Sequence, residues 1–220
     1  METLGSQRLL QIAVERRPEL LIRALRKSGA VGRREEIEWV SPIDSDGYRE
    51  YRDLAALRRL GVPQPLSTPL KDFWPTRGQV WDGLAVSSQG RPILVEAKAH
   101  IPETLSGPSR ASPASLALIE SSLRRAQRHL APRSRKDWNS VFYQYANRLA
   151  FQYFLRVLNQ IKSSLVFVYF TNAVDMAGPS HEEEWRGAIR LIHAALGVPP
   201  HLDRFGVHDA FMDARMLTDQ

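Results

Sequence analysis

The chain has 220 residues, of which 43% are hydrophobic and 25% charged, so we expect one globular domain with a substantial core, although two small domains are not excluded. It contains no cysteine, which excludes disulfides and thiolate metal sites and suits a reducing compartment. The formal net charge of +6 suits a polyanionic partner such as nucleic acid. We find neither an apolar run of signal-peptide length in the first thirty residues nor an apolar stretch of membrane-spanning length, and we therefore expect a cytoplasmic protein with no membrane partner.

The N-terminal third contains helical patterns and one short strand pattern. Residues 6–28 resemble two short helices broken at Pro18, for which a packing role is the preferred interpretation. A short strand is predicted around residues 37–40. A helix is predicted from Tyr48 to Leu60, because glycine and proline follow it. Residues 61–80, with four prolines, resist assignment and are a candidate for the first sheet strand.

Three ionisable residues interrupt two apolar segments in the middle of the chain. Asp82 lies in residues 81–86, and Glu96 and Lys98 lie in residues 92–99. A sheet interior normally excludes charge, because removing an unpaired charged group from water costs several kcal/mol. These residues are therefore paired with each other, bound to something charged, or both.

The turn between the two segments predicts how these residues meet. A three-residue loop at 88–90, with Gly90 in the left-handed conformation, is a common hairpin solution. It places Asp82 opposite Glu96, and period-2 alternation keeps Lys98 on the same face. Two converging carboxylates repel each other unless a cation lies between them or one is protonated. Oxygen ligands of this kind suit Mg²⁺, which lowers the pKa of a bound water.

Asp82 followed by Glu96-x-Lys98 on the next strand resembles the PD-(D/E)XK nuclease superfamily, with Trp81 where the nominal motif has proline. The resemblance implies an α/β fold: a mixed central β-sheet flanked by helices, with a restriction-endonuclease-like αβββαβ core and additional N- and C-terminal helices. It also implies metal-dependent hydrolysis of phosphodiesters in DNA or RNA, with DNA the expected partner. Asp82 and Glu96 would bind Mg²⁺, or Mn²⁺ as a substitute, with the carbonyl of Ala97, and Lys98 would position the attacking water.

The segments that follow the lysine strand fit the order that the resemblance implies. A helix is predicted from Asp137, a candidate N-cap, to about Gln160, and a buried strand at residues 165–170. In several branches of the superfamily this helix supplies a glutamine or tyrosine to the site. Gln144 is the candidate here, with Asn147 one turn further on. The alternative, which has equal weight, is that Gln144 belongs to a polar stripe on a packed helix.

The superfamily often places an acidic residue from its first helix near the metal. Glu50 is the first candidate for this catalytic role, followed by Asp53 and Glu36. The alternative for Glu50 is an ordinary surface ion pair with arginine. His100 could face the site because it lies two residues after Lys98, although a surface or packing role is preferred.

A basic cluster ends the predicted helix that starts at Ser112-Pro113 and runs to about Leu130. We predict that this cluster binds a nucleic-acid backbone, and the alternative is that its charges complement the C-terminal end of the helix. Its members are Arg124, Arg125, Arg128, Arg133, Arg135 and Lys136.

The predicted organisation is a single nuclease-like domain over residues 1–220. It comprises a helical extension at 1–30, a catalytic core at about 45–172, and a helix and edge strand at 178–220. A capping box at Ser180-His181-Glu182-Glu183 opens that last helix, and residues 207–214 supply the edge strand.

Three functional hypotheses remain open at this point. The favoured one is an Mg²⁺-dependent nuclease. The second is a catalytically inactive nuclease-like fold that serves as a nucleic-acid-binding or assembly module. The third is a structural domain with a buried ion pair. The sequence also leaves open DNA against RNA, and a homodimer against other oligomeric states.

Overall fold

The computed structural model describes residues 5–217. The helices in this range are α1 (Ser6–Arg16), α2 (Pro18–Lys27), α3 (Asp53–Arg59), α4 (Pro113–Leu130), α5 (Tyr143–Tyr153) and α6 (Glu182–Leu196). The strands are β1 (Ile37–Ser41), β2 (Tyr51–Arg52), β3 (Val80–Trp81), β4 (Gly83–Ser87), β5 (Pro92–Lys98), β6 (Ser164–Thr171) and β7 (Val207–Asp213). None of the described helices is both long and apolar enough to cross a membrane.

A five-stranded mixed sheet forms the centre of the fold, in the order β1-β4-β5-β6-β7. β4 is antiparallel to both of its neighbours, β1 and β5, whereas β6 lies parallel to β5 and β7 parallel to β6. The parallel pairing follows from the connection, because α4 and α5 carry the chain from the end of β5 back to the start of β6. β2 and β3 pair separately as a short two-stranded sheet.

Helices cover both faces of the sheet, so its central strands are buried on both sides. α1 and α2 pack on one face, against alternate residues such as Val95 and Ala97. α4, α5 and α6 pack on the other face, against Leu84, Leu94 and Phe167. Since side chains alternate along a strand, Glu96 and Lys98 follow Leu94 onto the face that α4–α6 cover.

The hairpin between β4 and β5 has the predicted register. Gly83 pairs with Val95 in the antiparallel ladder. The amide of Ser87 donates to the carbonyl of Arg91 over 3.0 Å, which closes the three-residue loop. Gly90 has a φ of +73°, the left-handed conformation that the turn requires. Continuing the ladder by one residue places Asp82 opposite Glu96.

Several other elements also match the predictions. The two N-terminal helices break at Pro18, α4 begins at Pro113, and β6 spans the predicted buried strand. β7 is the edge strand of the sheet. At the start of α6, Glu184 accepts hydrogen bonds from the amides of Ser180 and His181, so the capping partner lies one residue after the predicted motif.

The first strand of the sheet was placed wrongly. It is β1 (Ile37–Ser41), which the sequence indicated only as a short strand and which lies before the predicted core boundary at residue 45. Residues 61–80 contribute only Val80 to a strand, and that strand, β3, belongs to the two-stranded sheet.

Two predicted helix starts are also wrong. α3 begins at Asp53 rather than at Tyr48, because Tyr51 pairs with Trp81 as a strand and the Asp53 carboxylate accepts hydrogen bonds from the amides of Arg77 and Gly78. Asp137 is not the N-cap of α5, which begins six residues later. Its carboxylate instead accepts from the amide of Asn139.

Candidate active site

The three ionisable residues of the hairpin meet at the carboxyl end of β5. Lys98 Nζ lies 2.7 Å from Glu96 Oε1, with side-chain exposures of 12% for Lys98 and 2% for Glu96. Asp82 precedes β4 and is half-buried, and its Oδ2 accepts a hydrogen bond of 2.8 Å from the amide of Ala97. Asp82, Glu96 and Lys98 therefore lie together on one face of the sheet, as the predicted hairpin register requires.

The carbonyl of Ala97 faces the same side as its amide. In a strand, the N–H and C=O groups of one residue point to the same edge. Because the Ala97 amide donates to Asp82, its carbonyl also faces the edge where β4 has not yet begun. Oxygen atoms of Asp82, Glu96 and Ala97 thus lie near one another at the carboxyl end of β5.

α5 contributes two side chains to this cluster, one turn apart. Gln144 Oε1 accepts a hydrogen bond of 3.0 Å from Lys98 Nζ, and Arg148 Nε donates to Glu96 Oε2 over 2.7 Å. Residues four apart on a helix are about 6.0 Å apart along its axis, and residues two apart on a strand about 6.6 Å. The spacing of Gln144 and Arg148 along the helix therefore matches the spacing of Glu96 and Lys98 along the strand. Each strand residue receives one partner from the helix.

Arg148 is the member of this cluster that the sequence did not indicate. Its guanidinium also donates to the side chain of Asn147 over 3.0 Å and to the carbonyl of Val80 over 2.8 Å. It lies 4.7 Å from the centre of the Trp81 ring, a cation–π distance. Its i, i+4 spacing from Gln144 was the available signal, because such residues share a helix face.

The burial and charges of the cluster affect its two carboxyl groups in opposite directions. Burial raises the pKa of Asp82 to about 7, and the neighbouring Glu96 charge adds to this effect. Burial also acts to raise the pKa of Glu96, but Arg148 and Lys98 outweigh it, so that pKa lies below its usual value. Glu96 is therefore the ionised partner of two cations, whereas Asp82 is only about half ionised at pH 7.

A small cavity lies beside Glu96 and Lys98. Only about 10 Å³ is open to the centre of a water molecule, which is room for about one water. Its lining also includes Thr104 and Gln144. The segment after Lys98 is fixed here, because Ser106 Oγ accepts a hydrogen bond from the Gln144 amide. The Pro/Ser-rich residues after the lysine strand therefore lie at the rim of the site.

The proposed acidic residues from the first helix are not part of this cluster. Glu50 is exposed, precedes β2 rather than lying in a helix, and accepts a hydrogen bond of 2.6 Å from Gln7. Asp53 binds the amides of Arg77 and Gly78. Glu36 is exposed and its amide donates to Ser88, at the turn end of the hairpin.

Two other predicted neighbours of the site bind residues other than its two carboxylates and its lysine. His100 Nδ1 lies 3.1 Å from Glu103 Oε1. Asn147 does not contact Lys98, because its side chain accepts from Arg148 and its carbonyl accepts from Gln79.

The basic cluster lies towards the other end of the sheet. The His129 ring lies 5.4 Å from that of Tyr153, and the adjacent Gln152 donates to the carbonyl of Ser163. Ser164, the next residue, pairs with Ile93, five residues before Lys98, or about 16 Å along the strand. The cluster is solvent-exposed except for Arg125, whose guanidinium lies 5.8 Å from the Phe73 ring. The structure therefore separates the C-terminal end of α4 from the carboxylate site.

No protein-family model, curated protein or solved structure matches the chain. Within residues 5–217, no three histidine, cysteine, aspartate or glutamate side chains are grouped so that they could hold a metal ion. A metal ion in this cluster would therefore have to be held by Asp82 and Glu96 with main-chain oxygen and solvent.

Proposed function

We propose that the chain is a metal-dependent nuclease of the PD-(D/E)XK type that hydrolyses phosphodiester bonds in DNA or RNA, with DNA the expected substrate. The observation that carries this proposal is the convergence of Asp82, Glu96 and Lys98 on one face at the end of a hairpin. The element order also supports it. A helical layer precedes three antiparallel strands, then helices and a strand parallel to the third.

The donor groups of the site are compatible with Mg²⁺. Mg²⁺ is often bound by one or two carboxylates and otherwise by water and substrate phosphate. Asp82 Oδ1 accepts no hydrogen bond from the residues that the structure describes. Each Glu96 oxygen receives one donor and retains a further lone pair. The residues that would hold the ion are Asp82, Glu96 and, through its carbonyl, Ala97.

When bound, Mg²⁺ supplies a water of lowered pKa and stabilises negative charge on a phosphoryl oxygen. Lys98 has three N–H donors, of which one binds Glu96 and one binds Gln144. The third donor remains for the attacking water or for a phosphate oxygen. Gln144 and Glu96 hold the lysine in this orientation.

Glu50 has a smaller part in this proposal. Extending the antiparallel pairing of Tyr51 with Trp81 by one residue places Glu50 alongside Asp82. Its exposed carboxylate and its bond to Gln7 favour a contact with solvated substrate rather than a position at the metal.

Substrate assays with matched variants test the proposal. Labelled single- and double-stranded DNA and RNA would be incubated with Mg²⁺, Mn²⁺ or a chelator. We expect cleavage only with a divalent ion, and a loss of at least about a hundredfold in Asp82→Asn, Glu96→Gln and Lys98→Met, since each removes a group that contacts the metal or the reacting atoms. Lys162→Met, which changes an exposed lysine, is the matched control.

A binding-only module is the second candidate function. The observation in its favour is that Lys98 and Arg148 already neutralise the charge of Glu96 without a metal. On this alternative, the chain binds nucleic acid but cleaves no substrate at any ion concentration. Cleavage that is unchanged in all three site variants would instead mean that the activity belongs to a different site or to a contaminant.

A further inference from the structure

Arg148 is fixed more firmly than any other group in the candidate site. Each of its three nitrogens has a partner: Nε on Glu96, Nη1 on Asn147 and Nη2 on the carbonyl of Val80. The residue is 4% exposed, and its guanidinium also lies over the Trp81 ring. It therefore keeps its position and its charge, because a guanidinium does not lose its proton in proteins.

This fixed charge binds a carboxylate oxygen that a second metal ion would need as a ligand. Two-metal sites place two ions about 3.5–4 Å apart and need carboxylates that reach both. Glu96 Oε2, the oxygen away from Lys98, is bound by Arg148, and the described residues offer no cluster of three metal-binding side chains. The negative charges of the two carboxylates are already balanced by the positive charges of Lys98 and Arg148. One bound divalent ion therefore leaves the site with a net positive charge.

We propose that Arg148 is a positioning residue that restricts the site to one divalent ion. It holds Glu96 for that ion and occupies, with a permanent charge, the place of a second ion. This inference rests on the proposed nuclease function and adds its metal stoichiometry. Its physical basis is that a cation adjacent to Glu96 opposes the binding of another cation at the same carboxylate.

Counting bound Mn²⁺ by electron paramagnetic resonance tests the inference without relying on catalysis. We expect the wild-type chain to bind one Mn²⁺. In Arg148→Met we expect Mn²⁺ to bind at least tenfold more tightly, or a second ion to bind, while cleavage falls at least a hundredfold. A merely structural arginine predicts that binding and cleavage weaken together. Arg156→Met is the matched control, because Arg156 follows α5 and donates to the carbonyl of Ser163, away from the site.

Arg148→Lys keeps the inference testable if Arg148→Met fails to fold, as judged by circular dichroism. The lysine keeps the charge, so we expect one ion, bound within about threefold of the wild-type affinity, and partial recovery of cleavage. Two ions bound to the wild-type or Arg148→Lys chain would overturn the inference and leave the nuclease proposal intact. So would a folded Arg148→Met chain that binds one Mn²⁺ with unchanged affinity. A wild-type chain that binds no Mn²⁺ and cleaves nothing would remove both.

Discussion

The negative charge of Asp82 is offset less by its neighbours than that of Glu96. Glu96 has two cationic partners, whereas the hydrogen bond to Asp82 comes from a neutral amide. With its pKa raised to about 7, Asp82 loses its proton less readily in the folded chain than in the unfolded chain. Its ionisation therefore opposes folding as the pH rises from about 4 to about 7. A bound divalent cation would remove this penalty.

The variant Asp82→Asn removes the ionisable group and therefore tests this penalty. Without a divalent ion at pH 8, we expect it to be more stable than the wild type, because it removes the cost of burying a charged carboxylate and the repulsion with Glu96. A ligand at a hundred times its dissociation constant stabilises a protein by about 2.7 kcal/mol. We expect Mg²⁺ to stabilise the wild-type chain in this way and the variant little or not at all. Urea unfolding with and without Mg²⁺ measures both effects, and equal stabilisation of the two chains would contradict the assignment of Asp82 as a ligand.

The sequence was sufficient to predict that the two carboxylates and the lysine lie together. It was not sufficient to predict that Arg148 joins them. Asp82, Glu96 and Lys98 belong to one hairpin, so a turn of known geometry was sufficient to place them together. Arg148 is 52 residues from Glu96, and only the packing of α5 on the sheet brings them into contact. A lone arginine in a helix normally indicates a solvated face, which is why its burial was not anticipated.

The β4–β5 hairpin is the element on which the site geometry depends. Its register places Asp82 opposite Glu96, and a shift of one residue would turn Asp82 to the other face. Gly90 takes the left-handed conformation in this turn, and an added Cβ there would meet no other atom within 4 Å. Substitution at Gly90 therefore tests the backbone conformation alone.

For Gly90→Ala we expect a loss of about 1 kcal/mol in unfolding free energy, from the left-handed conformation. We expect Mg²⁺ binding to change less than twofold, because the other pairs of the ladder keep the register. Gly107→Ala is the matched control, since Gly107 also has open space around it but no positive φ. A large loss of Mg²⁺ affinity in Gly90→Ala would mean that the turn, rather than the whole ladder, determines the register.

Elements with strong local signals were predicted well, and those shaped by distant contacts were not. Proline starts α2 and α4, glycine ends α6, and an unbroken apolar run forms β6. The start of α3 was predicted wrongly because Tyr51 pairs with Trp81, thirty residues away. β1 was not recognised as the first sheet strand, because its ladder with β4 depends on residues more than forty positions away.

For the molecule as a whole, the candidate site is not the only place where burial raises the pKa of a carboxyl group. Asp209 on β7 lines a separate cavity with Tyr145, Arg186 and His193. Its Oδ1 is buried without a hydrogen bond from any described residue. Burial raises the pKa of Asp209 to about 7, and the charge of Asp203 adds to this effect. An inward charge on an edge strand also discourages pairing with other chains.

We expect Asp209→Asn to stabilise the chain at pH 8 and to change little at pH 4. The folded form of the wild type binds more protons than the unfolded form between about pH 4 and 7, so its stability falls as the pH rises through that window. Allowing for partial solvent screening, the gain at pH 8 is about 1–2 kcal/mol. Thermal unfolding across pH 4–8 measures it, with the exposed Asp175→Asn as control. A gain that is independent of pH would contradict the raised pKa.

Anomalous X-ray diffraction from crystals soaked in Mn²⁺ would show whether Asp82 and Glu96 bind a metal ion. Data collected above and below the manganese absorption edge locate the ion without reference to any activity. The account predicts one anomalous peak between the carboxylates of Asp82 and Glu96, within bonding distance of both. If no peak appears there while Mn²⁺ is bound elsewhere or not at all, and Glu96 remains paired only with Lys98 and Arg148, the cluster is a buried ion-pair network rather than a metal-dependent active site.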